Sequence, residues 1–165
     1  GGQVSSSELL ARHFIDKRRH VGYMSHKTGP GHNDFSRQIP IYIDPLTRGT
    51  IWLKPVFVLV NQGVYSAAND FVLRLKGLPH VRIIGVKTGG GAGLPMSSEL
   101  PNGWGIRFSA SRTYDTAGKD VEFGIEPDIK VEGELKRTDE KDLFIDASAR
   151  LLTVWIKAIK KHLKK

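Results

Sequence analysis

Cysteine is absent from all 165 residues of the chain, which excludes disulfides, a thiolate nucleophile and metal sites built on thiolates. The redox compartment stays open, because reducing and oxidising compartments both accept cysteine-free proteins. Long apolar runs are lacking too, and no stretch approaches the about 20 residues needed to cross a bilayer. The opening GGQVSSSELL has no basic region, apolar core or cleavage site of a signal peptide. Fixed-period repeats and low-complexity tracts are missing as well. What is present, 39% hydrophobic and 25% charged residues, fits one globular domain with a single core spanning residues 1–165. The net charge of +8 lies largely in DKRRH (16–20) and WIKAIKKHLKK (155–165). Cations at helix ends complement the helix dipole, so these are expected to be solvated ends. The basic residues are not interleaved with aromatics on a sheet face, so no nucleic-acid partner is expected.

Ser5 with Glu8 fits a capping box, and Leu9, Leu10, Phe14 and Ile15 follow at helical spacing, predicting a helix over about 6–18. VGYMSH, IPIYID and VFVLVN then read as strands, with the loop KTGPGHNDF between the first two. VFVLV is continuously apolar, as a central strand covered on both faces would be. From Ala67 the period becomes helical through Ala68, Phe71, Val72 and Leu75, ending near Gly77 and Pro79, and VRIIGV is the next strand. A strand, helix, strand unit favours an α/β fold. Beyond the glycine-rich KTGGGAGLP, a hairpin turning at Asn102 and Gly103 and a short last strand in GIEPDIKVE are expected. Residues 139–165 carry apolar side chains at spacings of three and four, predicting a long amphipathic C-terminal helix.

The chemistry-bearing candidate is Ser66, in NQGVYSAAND, where the strand passes straight into the helix. A hydroxyl on such a connection is exposed at the sheet edge. It sits beside unpaired N–H groups of the first helical turn and at the positive end of the dipole. These are what a nucleophile needs; they are also what a simple helix cap provides.

VLVNQGVYSAANDF, IIGVKTGGGAG, LPNGWGIRFSASRTYDTAGK and GIEPDIKVE, in that order, resemble the catalytic domain of the tail-specific, or C-terminal-processing, serine peptidases, including their tricorn-like branch. The resemblance implies a ClpP/crotonase-type α/β fold with stacked strand-helix units, and a catalytic serine at Ser66. It implies an acyl-enzyme reaction on peptide or unfolded protein substrates. Attack on a carbonyl creates an oxyanion, and the Ala67 N–H is one expected donor to it. The opening Gly1-Gly2 is similar to the end of the family's RxNGGG segment, so the Gly2 amide is the implied second donor; the alternative is an expression remnant. On that alignment the chain starts inside the domain. A lead strand, a peptide-binding domain and any export signal would lie upstream, and a periplasmic or cell-envelope location is expected.

The resemblance breaks at the general base. Bacterial members carry KTFGKG with a catalytic lysine inside it; here the stretch is KTGGGAG and that lysine's position is Gly91. Lys87, four residues earlier, could serve only if burial depressed its pKa. The tricorn-like branch instead uses an upstream histidine and a later glutamate, for which Glu122 is the match. Gly90 and Gly91 are expected to line the substrate cleft. His13, His20, His26, His32, His80 and His162 follow no family position and read as surface residues. KTGGGAG lacks a GK[ST] ending and a dinucleotide fingerprint, and HKTGPGHND seldom gives three converging ligands, so neither cofactor nor metal is expected. A catalytically inactive peptide-binding or scaffold domain of the same fold is the alternative function.

Overall fold

The computed structural model describes residues 1–131 together with 145, 149–155 and 157. Helix α1 (Val4–Ala11) and a 3-10 turn (Arg12–Phe14) lead into strands β1 (Arg19–His26) and β2 (Ile39–Ile43). Strand β3 (Val56–Val60), helix α2 (Ala67–Leu75) and strand β4 (Val81–Gly85) follow. The described chain then forms β5 (Pro95–Glu99), β6 (Gly105–Ser109), β7 (Ser111–Tyr114) and β8 (Ile129–Lys130). Three sheets result: an antiparallel β2-β1-β7, a parallel β3-β4-β8 and the β5-β6 hairpin. The architecture is therefore mixed α/β with small sheets.

The β3-α2-β4 unit forms as its apolar pattern predicts, with Val56 opposite Val81 and Val60 opposite Gly85 in a parallel register. VFVLV is nevertheless the edge strand of this sheet among the described residues, and β4 is central. Leu59 is accordingly exposed, whereas Val81, Ile83 and Ile84 are buried. The expectation of a doubly covered VFVLV is corrected in that respect. A run of apolar residues does not say which of two adjacent strands is covered on both sides.

The first helix also differs from its expectation. It begins at Val4 with Gln3 as an N-cap that makes no side-chain bond, so the Ser5/Glu8 box does not form, and it ends at Ala11 rather than near residue 18. Leu9 and Leu10 are exposed; Ser7 and Ala11 are buried instead. Small side chains let α1 lie close on α2, and the Ser7 hydroxyl donates to the Asp70 carboxylate across that contact. Glu8 pairs with Arg74 of α2 at 3.4 Å rather than with its own helix end.

The basic DKRRH stretch follows the 3-10 turn, and only part of it is solvated. The Arg19 Nη2 donates to the Lys76 carbonyl at the C-terminus of α2, a cation at the negative end of a dipole. The hairpin turns at 100–104, with the Gly103 N–H on the Leu100 carbonyl, as its Asn-Gly pair predicts. Of the expected C-terminal helix, residues 149–155 are helical, and Trp155 stacks on Phe57 of β3 with ring centres 5.4 Å apart. The remainder of that prediction lies outside the described residues. Among the described residues no helix is long and apolar enough to cross a membrane.

Candidate active site

Ser66 stands at the N-cap of α2 with φ 60° and ψ −125°. It is the single described residue other than glycine with a positive φ. Such a backbone costs on the order of 1–3 kcal/mol for an L side chain and persists only where its surroundings over-determine it. Here the constraint is visible on both sides. The Ser66 N–H donates to the Gly90 carbonyl at 2.8 Å, Tyr65 bridges Gly90 in parallel, and the Asp70 N–H returns to the Ser66 carbonyl at 3.0 Å. The strained turn aims a half-buried hydroxyl outward. No backbone partner engages the Ala67 N–H among the described residues, as the first turn of a helix requires.

Gly91 is on the wall beside Ser66, with Gly90 packed behind it. Both have positive φ, 83° and 74°. A Cβ on Gly90 would fall 1.9 Å from the Glu122 carbonyl, and one on Gly91 would fall 2.2 Å from the ring of Tyr65. The position at which bacterial members carry lysine is thus covered by an aromatic ring. The Gly91 N–H donates to the Glu122 carbonyl, which ties this loop to the one bearing the glutamate.

Two cavities flank Ser66. The larger, about 530 Å³, runs from Gly2 and Val4 past Ile39, Leu73 and Leu94, and is mostly apolar. The smaller, about 300 Å³, is enclosed by Tyr65, Ser66, Gly91, Arg107 and Glu122. The structure therefore brings Ser66, Gly91 and Glu122 together on one cavity and Ser66 with Gly2 and Gly91 on the other. A Cβ on Gly1 would lie 3.8 Å from that of Ser66. Gly90, expected to line the cleft as well, lines neither cavity and touches the site only by its carbonyl, which accepts from the Ser66 N–H. Lys87 lines neither cavity.

The Glu122 carboxylate is held from one side, its Oε2 accepting from the Ala92 and Gly93 N–H groups at 2.8 and 2.9 Å. Two amides on one oxygen fix the orientation of the group.

Beneath the turn lies a fully buried polar pair that sequence pattern did not single out. Thr88 Oγ1 donates to Asn69 Oδ1 at 2.6 Å and accepts from the Ile125 N–H at 2.7 Å, while Asn69 Nδ2 donates to the Val121 carbonyl at 3.3 Å. Three residues past the serine, Asn69 thereby clamps the helix start to the loop 121–125 that carries Glu122. Asp70 and Arg74, also on the larger cavity, form an ion pair at 2.7 Å. His26 is on that cavity's wall too and is exposed, in keeping with the surface position its sequence context implies. No signal in the sequence distinguishes these polar residues from ordinary surface positions, since their burial depends on which segments meet.

A strained serine with a free amide behind it shares a cavity with an oriented carboxylate, an arrangement compatible with a nucleophilic serine. The family model of peptidase family S41 matches residues 1–131, and the chain belongs to that family of serine peptidases. It is 31% identical over 86 residues to the chloroplastic C-terminal processing peptidase of Tetradesmus obliquus, a match covering 52% of this chain and 18% of that protein. Among solved structures, a candidate peptidase from Parabacteroides merdae is 47% identical with a TM-score of 0.84, covering 92% of this chain and 48% of that one. The photosystem II D1 C-terminal processing protease shares the fold at a TM-score of 0.60 and 24% identity, over 82% of this chain and 33% of that one. The chain spans about a fifth of the length of the curated relatives it matches.

Proposed function

We propose that the domain is the nucleophile-bearing part of a tail-specific serine endopeptidase of the tricorn-like kind, with the ClpP/crotonase-type fold of which β3-α2-β4 is one strand-helix unit. Ser66 attacks the scissile carbonyl, and the Ala67 and Gly2 N–H groups receive the oxyanion. Gly90 and Gly91 let the peptide backbone approach, and Glu122 orients the base. The observation that carries this reading is the smaller cavity, which Ser66 and Glu122 line together. A base touching both must enter there. Among the described residues His26 lies on the other cavity and Lys87 on neither; on the tricorn-like reading the base is a histidine from a preceding segment, where a peptide-binding domain is also expected. Glu122, pinned by two amides, then accepts from the imidazole's far nitrogen and stabilises its charged form. A periplasmic or envelope setting, where unfolded chain ends are exposed to such an enzyme, suits this activity.

The inactive peptide-binding domain is the second reading, favoured by the Tyr65 ring lying where a lysine on Gly91 would sit. Turnover of an unfolded peptide decides between them. General-base assistance is typically worth about 100 to 10,000-fold. The 165-residue chain alone is therefore expected to be nearly inert, and the chain extended to its relatives' length active. An inert extended protein would favour the scaffold reading. Turnover by the short chain that disappears on Lys87→Ala would assign the base to Lys87 instead.

A further inference from the structure

The charged groups on the cleft differ in how they are partnered. On the larger cavity Asp70 and Arg74 neutralise one another, with Glu8 closing on Arg74 from the far side. The Glu122 carboxylate on the smaller cavity is engaged by two backbone amides. His26 also stands on the larger wall. Arg107 is different. It lies on β6 opposite Ser97, on the face of the hairpin turned away from Met96, Ile106 and Phe108. It lines both cavities beside Ser66, and among the described residues it has no ion pair. Its guanidinium is therefore a cation with no ion-pair partner among the described residues, presenting five donors in a planar fork on the wall of a mostly apolar groove.

We infer that Arg107 binds a carboxylate of the peptide substrate close to the scissile bond, so that this peptidase selects acidic segments. The inference rests on the peptidase reading above. Arg107 shares both cavities with the nucleophile, so the carboxylate belongs to a residue within a few positions of the cleaved bond. A planar carboxylate meets the guanidinium with two parallel hydrogen bonds, whereas a lysine at the same place brings like charges together. Among the other wall residues, Ile39, Leu94 and Pro95 are apolar and carry no preference of sign, and Asp70 is paired with Arg74.

The test uses the protein extended to its relatives' length, with Ser66→Ala to prevent turnover. Fluorescent decapeptides of alanine and glycine carry Asp or Lys at each successive position, with amidated or free C-termini, and binding is read by anisotropy. At one position Asp peptides are expected to bind about tenfold tighter than Lys peptides, since attraction and repulsion across an exposed pair are each worth a few fold. The ratio shrinks at high salt and inverts in Arg107→Glu, while Lys119→Glu, an exposed turn residue, leaves it unchanged as a control for net charge. A preference carried by amidated peptides assigns an acidic side chain; one confined to free C-termini assigns the chain end. A ratio near one at every position, or one that survives Arg107→Glu, overturns the inference. Turnover by the unmutated serine protein, measured separately, reports on the peptidase reading itself.

Discussion

The turn at Ser66 and the β5-β6 hairpin border the same cleft but are built in opposite ways. Around the turn, backbone is packed against backbone: Gly90 and Gly124 have no room for a Cβ, and Asn69 and Thr88 are fully enclosed. Along the hairpin every residue of both strands is exposed, Trp104 at its tip is 70% accessible, and a Cβ on Gly105 would meet nothing within 4 Å. The difference separates two tasks. Chemistry needs atoms held in one place, and strain at Ser66 is sustained only by a rigid surround. Selection of a substrate needs reach and tolerance, which an exposed two-stranded ribbon supplies at little cost to stability.

Substitutions at matched positions can break this contrast. Gly90→Ala is expected to lower stability by about 3 kcal/mol or more, because the new methyl meets the Glu122 carbonyl and φ is positive. Gly105→Ala on the hairpin is expected to stay within about 0.5 kcal/mol of the parent. Denaturant midpoints of the two variants check both, and equal losses would refute the division.

A smaller effect is expected from Asn69→Ala, about 1–3 kcal/mol, since it leaves the Thr88 hydroxyl proton and the Val121 carbonyl buried without their partner. Its sharper signature is functional. In the extended, active protein kcat should fall with KM little changed, because Asn69 clamps the Glu122 loop, which does not itself grip most of the substrate. A change confined to thermal stability would make the pair merely structural.

The mildest prediction concerns His80, remote from the cleft at the start of β4. Burial is the main influence and pushes its pKa below the ordinary 6.5, against a bond to the Phe14 backbone and the charge of Asp16, which raise it. Its Nε2 is enclosed without a partner. The unfolded chain therefore takes up the proton first as pH falls below about 6.5. Stability is unaffected above that value and declines below it until the folded state's own pKa is reached. His80→Gln should flatten this part of the stability profile between about pH 7 and pH 5, measured by urea midpoints. An unchanged slope would show that other groups carry it.

Part of each region was legible in the sequence. VFVLV followed by a serine and a helical period gave the strand-to-helix connection, and Asn102-Gly103 gave the hairpin turn, since both depend on neighbours along the chain. The parts that failed depend on neighbours in space. Ser7 and Ala11 replace Leu9 and Leu10 as the buried face of α1 because α2 comes close, and small residues carry no hydrophobic signal. The edge position of β3 follows from which strands pair, and the enclosure of Asn69 from the loop 121–125 folding over it. Arg107 is unremarked in sequence because an arginine in a hairpin is ordinary; its meaning comes from the two cavities it shares with Ser66.

Labelling of Ser66 by a fluorophosphonate tests the central claim most directly, because the reagent reports an activated serine without needing the right peptide. The extended protein, exposed to the reagent and mapped by peptide mass, should carry one adduct, on Ser66. The adduct should be lost in Ser66→Ala and strongly slowed in Glu122→Gln, and it should form far more slowly in the 165-residue chain. An extended protein that hydrolyses unfolded peptides while Ser66 stays unlabelled, or that keeps its turnover after Ser66→Ala, would contradict the account.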